Sequence, residues 1–157
     1  MSLLRRPAVQ IILALFLGAV FVYTSLDKIA HPAAFARIVY HYRLIGPSAF
    51  VGPLPANVLA VTLPWVEMVA GLALIAGVWR REAAGLVALL LVVFLGAVTW
   101  ALVHGIDIEN CGCFSVSGTG RGAGITLLLQ DLGLLAAALL VAAIRVNLSP
   151  DRRTQAR

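Results

Sequence analysis

Residues 83–103 read AAGLVALLLVVFLGAVTWALV, 21 residues without a charged side chain. At about 1.5 Å per residue such a helix is roughly 30 Å long, the thickness of the hydrocarbon core of a bilayer. Working outward, three further apolar runs of the same kind appear at 9–26, 55–78 and 125–144. Proline and charge punctuate most of their ends: Pro7, Pro32, the Pro53/Pro55 pair and the Arg80-Arg81-Glu82 turn. Of the 157 residues 61% are hydrophobic and only 12% charged, with a mean hydropathy of +0.97. A soluble domain carries about 25% charged residues, and a chain this short has too little interior to hide so much apolar surface. Lipid is therefore its expected solvent. The predicted fold class is all-α, a single integral membrane bundle of four helices.

The net charge of +5 does not point to nucleic acid, because the basic residues form no patch. They stand at the ends of the apolar runs, where membrane topology puts them. One side holds Arg5, Arg6, Arg80, Arg81, Arg145, Arg152, Arg153 and Arg157; the other holds Lys28, Arg37, Arg43 and Arg121. This two-to-one bias predicts that both termini are cytoplasmic and that segments 27–54 and 104–124 face the outside of the cell (inner) membrane. Arg5 and Arg6 ahead of the first run have the look of a signal peptide, but the run continues to Leu26 without a clean small-x-small site after it. An uncleaved helix is expected. Within the first external segment, AAFARIVYHYR at 33–43 mixes aromatic and basic residues as a short interfacial helix does. The pentapeptide FLGAV occurs at 16–20 and again at 94–98; its flanks do not extend the match, and it reads as coincidence.

The chain has two cysteines, both in Asn110-Cys111-Gly112-Cys113-Phe114 of the second external segment. Glycine permits the tight backbone that a disulfide between Cys111 and Cys113 requires. Strained, exposed disulfides belong to the labile or catalytic kind, and an oxidising face of the membrane keeps such a pair oxidised. A purely structural disulfide is the weaker reading, since closing so short a loop removes little unfolded-state entropy. A copper or zinc site built from Cys111 and Cys113 with His104, or with the carboxylates Asp107 and Glu109, is the other alternative, although a full four-ligand set is not visible.

Acidic residues inside the spans form the second candidate set. Glu67 stands about twelve residues into its span, near mid-membrane. Asp131 stands in the outer half of the fourth, and Asp27 closes the first. Ionisable groups at such depth face the bundle interior and mark proton paths, ligand pockets or interhelical bonds. A quinone is the cofactor such a pocket suggests. Lys28 is expected to snorkel and Asp27 to face the bundle or Arg121. Trp79 and Trp100 read as belt residues, and Gly71, Gly77, Gly85 and Gly96 as sites of close helix packing.

Ser25-Leu26-Asp27-Lys28-Ile29, the Leu63-Pro64-Trp65-Val66-Glu67 run with Gly71-Leu72, and Cys111-Gly112-Cys113-Phe114 together resemble the MauE branch of the DoxX-like membrane proteins, over about residues 9–144. The resemblance implies a four-helix membrane protein of periplasmic thiol–disulfide chemistry. It also implies a thioredoxin-like partner or cysteine-containing client outside the membrane, and a place in the maturation of a disulfide-rich enzyme subunit. Under it, Cys111 and Cys113 are the redox pair and Glu67 and Asp131 the buried acids. Two departures stand out: Gln130 precedes Asp131 where the family often has a basic residue, and Ser115 follows the cysteine motif where glycine is common.

Overall fold

The break that shapes the outer end of the bundle is written in His31-Pro32. Proline clashes with a helical residue before it, and His31 leaves the helical region with φ −128° and ψ 59°. The chain therefore ends helix α1, Pro7–Ala30, and restarts as α2, Pro32–His41, with proline at its first turn. Three more helices follow: α3, Ala56–Ala76; α4, Arg80–Val103; and α5, Ile125–Ala143. The structure is a computed structural model and describes residues 7–42, 56–105 and 125–143. Among these residues every regular element is a helix.

The helices differ from the expected spans where local chemistry decides. α1 continues past Leu26 through Asp27 and Lys28, because Lys28 finds a buried partner. The turn before α4 is Gly77–Trp79 and not Arg80-Arg81-Glu82. Gly77, at φ +73°, supplies the left-handed residue that ends α3, and the Val78 N–H bonds the Ala73 carbonyl at 3.1 Å to close the cap. Trp79 is also left-handed (φ 47°), and Arg80, Arg81 and Glu82 form the first turn of α4, where Glu82 suits the helix dipole. Most of the 33–43 segment forms helix α2, Pro32–His41.

Each long helix buries a stripe whose spacing alternates three and four residues. On α1 it is Gln10, Ala14, Leu17, Phe21, Thr24 and Lys28; on α3 it is Ala60, Pro64, Glu67, Gly71 and Leu74. On α4 the stripe includes Ala84, Val87, Leu91, Val98 and Ala101, and on α5 Asp131, Leu134, Ala138 and Val141. This repeat keeps one seam of each helix facing its neighbours. The opposite faces carry Ile12, Phe16, Val69, Val92, Val93 and Leu139, all exposed. Large apolar residues on the outward faces are expected of helices packed in lipid, whose tails are as apolar as leucine. α1, the Asn57–Ala76 part of α3, and α4 are long and apolar enough to cross a membrane, and Leu128–Ala143 is a shorter apolar helix. The protein is a multi-pass membrane protein.

Close backbone approach occurs where α1 crosses α3. A Cβ on Gly18 would stand 2.7 Å from the Gly71 carbonyl oxygen, and one on Gly71 would stand 3.0 Å from the Gly18 oxygen. Of the four glycines expected to pack, only Gly71 does so against a neighbouring helix. Gly77 makes the turn, while a Cβ placed on Gly85 or Gly96 would meet nothing within 4 Å. The contacts Gly18 to Gly71 and Lys28 to Glu67 run in opposite senses along the two chains, so α1 and α3 are antiparallel. The short Gly77–Trp79 turn makes α3 and α4 antiparallel as well. Leu91 and Phe94 share a cavity with Leu134 and Asp131, on an α5 that runs back against α4. The end of α4, the start of α5, and α2 thus lie at the Lys28 end of the bundle. There α2 packs Phe35 and Ala36 against Ala60 and Leu63 in the first turns of α3.

Candidate functional site

Side chains on a helix lean toward its N-terminus, so Lys28, two residues from the end of α1, points back into the bundle. It is 1% exposed, and its Nζ donates to both Glu67 Oε1 and Oε2 at 2.8 Å. Glu67 is equally buried. Lys28 does not snorkel: an ammonium with a carboxylate within reach is better held there than stretched along the seam to water. Two aromatic rings complete its surroundings. Phe94 of α4 lies 4.8 Å from Nζ to ring centroid, and Phe35 of α2 lies 5.3 Å away. Cations over aromatic faces gain about 0.5–2 kcal/mol, more where water is excluded.

Around this pair the α1 hydroxyls are turned inward. Ser25 Oγ donates to the Phe21 carbonyl and lies 3.4 Å from Glu67 Oε2; Thr24 Oγ1 donates to the same carbonyl at 3.2 Å. Three residues before Glu67, Pro64 lies within α3 and is buried. Proline in a membrane helix is tolerated when neighbours satisfy the backbone it frees. Asp131, 2% exposed, approaches from α5. Lys28, Glu67, Thr24 and Asp131 line one cavity of about 20 Å³ with Phe94 and Leu134 among its apolar walls. Such a space admits a water molecule; a pocket for a ring-bearing ligand needs about 300 Å³ or more. The site is a compact charged centre.

The other residues singled out from the sequence lie elsewhere. Asp27 sits at the rim with its side chain 21% exposed, its Oδ1 3.5 Å from His31 Nδ1. It does not join Glu67 and Asp131 at the cavity. His104 ends α4, exposed, stacked on Trp100 with ring centroids 3.9 Å apart. Its Nδ1 lies 2.9 Å from the Trp100 carbonyl oxygen, which can only accept. A hydrogen bond there requires the proton on Nδ1. Among the described residues no group of three or more His, Cys, Asp or Glu is close enough to hold a metal. Cys111, Cys113 and Arg121 lie outside the described residues.

The residue of this candidate site that sequence reasoning missed is Lys28. The signal was present: 14, 17, 21, 24 and 28 continue one buried stripe, so Lys28 falls on the same seam as Leu17 and Phe21.

Comparison with known proteins gives a consistent answer. The family model described as methylamine utilisation protein MauE matches residues 6–144. The MauE protein of Paracoccus denitrificans is 32% identical over 139 residues, covering 88% of this chain and 71% of that protein. The MauE protein of Methylophilus methylotrophus is 28% identical over 148 residues, covering 94% and 75%. That of Methylorubrum extorquens is 30% identical over 143 residues, covering 86% and 74%. No solved structure matches. With its two deep acids on the buried seams and a family match over nearly the whole chain, this protein belongs to the MauE family.

Proposed function

We propose that this protein is the membrane component of an extracytoplasmic thiol–disulfide or protein-maturation system of the methylamine-utilisation type. In this reading the Cys111–Cys113 pair lies outside the cell (inner) membrane and both termini lie in the cytoplasm. The pair exchanges disulfides with a thioredoxin-like partner or a cysteine-containing client. A client thiolate attacks one sulfur of the pair to form a mixed disulfide. The second client thiolate then displaces it, leaving the client oxidised by two electrons and the pair as two thiols. The partner's disulfide reoxidises the pair by the same exchange in reverse. Glu67 and Asp131 serve proton handling inside the bundle.

The observation that carries this reading is the pairing of the chain's only two cysteines across one glycine, in the connection between α4 and α5. The relatives' names and the positive-residue bias support it. Cells expressing Cys113→Ser, and separately Cys111→Ser, should accumulate mixed disulfides whose partner mass spectrometry identifies. No adduct from either variant, with stoichiometric copper or zinc on the purified unmodified chain, would sink the proposal in favour of a second reading. That reading is a metal-handling or scaffolding protein using Cys111, Cys113 and His104. It draws on the His104 ring, whose Nδ1 lies 2.9 Å from the Trp100 carbonyl oxygen, the second contact that metal-binding histidines commonly make through their other ring nitrogen.

A further inference from the structure

The turn from α3 to α4 lies at the end of the bundle away from Lys28, between two helices long and apolar enough to cross a membrane. Its residues therefore stand at the level of the lipid headgroups. Gly77-Val78-Trp79-Arg80-Arg81-Glu82 puts two apolar side chains, two guanidiniums and one carboxylate there. Arg80 is half-buried, and its guanidinium folds back across the turn. A Cβ on Gly77 would stand 2.6 Å from Arg80 Nη2 and 2.9 Å from Nε. Glycine thus leaves the space that the guanidinium fills. In that place Nε is buried and has no acceptor among the described residues. A buried donor without an acceptor is costly, and the planar Arg fork is the shape that matches two oxygens of a phosphate. The side chain is long, so a small turn presents the edge carrying Nε and Nη2 to an acceptor arriving from the membrane.

The neighbours of Arg80 suit an amphipathic ligand. Trp79 holds a left-handed backbone (φ 47°) that bulky residues rarely adopt, and it stands 78% exposed beside Val78 at 54%. Arg81 is exposed. As N-cap of α4, Trp79 gives no side-chain bond to the first N–H groups of that helix, whose positive end adds to the two guanidiniums. Two arginines and Glu82 leave one positive charge on the turn. We propose that this turn binds the headgroup of one anionic phospholipid. Arg80 supplies the fork for the phosphate and Arg81 the second charge, while Trp79 and Val78 lie against the glycerol and the upper acyl chain. A lipid with one negative charge balances the turn. A zwitterionic lipid leaves it unbalanced and sets its own cation beside two guanidiniums. The site goes beyond the thiol reading and does not rest on it.

The test uses the full chain purified in detergent. It is titrated with phosphatidylglycerol or with phosphatidylcholine of the same acyl chains, and the first lipid bound is counted by native mass spectrometry. Phosphatidylglycerol should bind about tenfold more tightly or better. The preference should be lost in the chain carrying both Arg80→Gln and Arg81→Gln, neither of which belongs to the main core cluster. It should be kept in Arg37→Gln, which removes an exposed arginine of α2 at the other end. Glycerophosphate, which has the phosphate without acyl chains, should fail to displace the lipid at millimolar concentration. Equal binding of the two lipids by the unmodified chain overturns the proposal, and that result needs no variant to fold. So does a preference that survives both substitutions, or one that disappears with Arg37→Gln. Displacement by glycerophosphate would make the turn a site for a soluble phosphate and overturns the lipid as its occupant.

Discussion

The pentapeptide FLGAV occurs twice, in α1 at 16–20 and in α4 at 94–98, and the fold uses the two copies differently. In α1 the second and third residues are buried: Leu17 lies in the core and Gly18 lies against the backbone of Gly71. The first, Phe16, is 55% exposed. In α4 the fifth residue, Val98, is buried, the glycine at 96 faces open space, and the first residue, Phe94, turns its ring to Lys28. Identical local sequence has been rotated to opposite uses. Residues outside the pentapeptide set the rotation: on α1 the seam from Gln10 to Lys28, on α4 the seam from Ala84 to Ala101. On α1 a polar anchor also fixes it, because Lys28 can meet Glu67 only with Leu17 and Gly18 turned inward.

That contrast can be broken in graded steps, each read by denaturant unfolding in mixed micelles. Glu67→Leu leaves the Lys28 ammonium buried without its partner and should cost about 3–5 kcal/mol. Adding Lys28→Met should recover most of the loss, since an apolar pair of similar volume is close to neutral there. If the double variant is no more stable than Glu67→Leu, the pair is not what holds α1 in register. Gly18→Val forces a side chain against the Gly71 backbone and should cost about 1–3 kcal/mol. Gly96→Ala, at the matching position of the other copy, meets nothing and should be neutral or stabilising by up to about 1 kcal/mol through helix propensity. Equal effects at the two glycines would show that the copies are used alike. The smallest difference is between the phenylalanines. Phe94→Leu removes a ring 4.8 Å from an ammonium and should cost about 1 kcal/mol, whereas Phe16→Leu should leave stability unchanged.

The same contrast explains what the sequence discloses. Uncharged runs of some twenty residues are legible without any structure, and so is the burial of Glu67 and Asp131, because an acid in the middle of such a run has nowhere inexpensive to go except inward. Lys28 escapes a sequence reading because a lysine near a helix end has two options, water or a partner. The choice depends on a residue 39 positions away. The glycines escape it for a related reason. Glycine allows close approach but does not say whether a neighbour is there, and among the described glycines only Gly18 and Gly71 face one another. The charges at 80–82 suggest the turn into α4, when Gly77 and its positive φ mark it better. The cysteine pair is read from the sequence alone, because Cys111 and Cys113 lie outside the described residues.

The separation of Lys28 from Glu67 has a consequence for biogenesis. The ribosome releases Lys28 well before the carboxylate that will neutralise it. At about 5–20 residues per second those 39 positions are a wait of roughly 2–8 s. During that interval α1 exists without α3, and the snorkelling posture expected from the sequence is the one open to Lys28, its ammonium stretched to the lipid headgroups. Arrival of α3 draws it inward, so the ion pair acts as a latch that closes only when the second hairpin arm is in place. A nascent chain arrested before residue 56 should therefore leave Lys28 open to a water-soluble amine reagent, and the full chain should shield it.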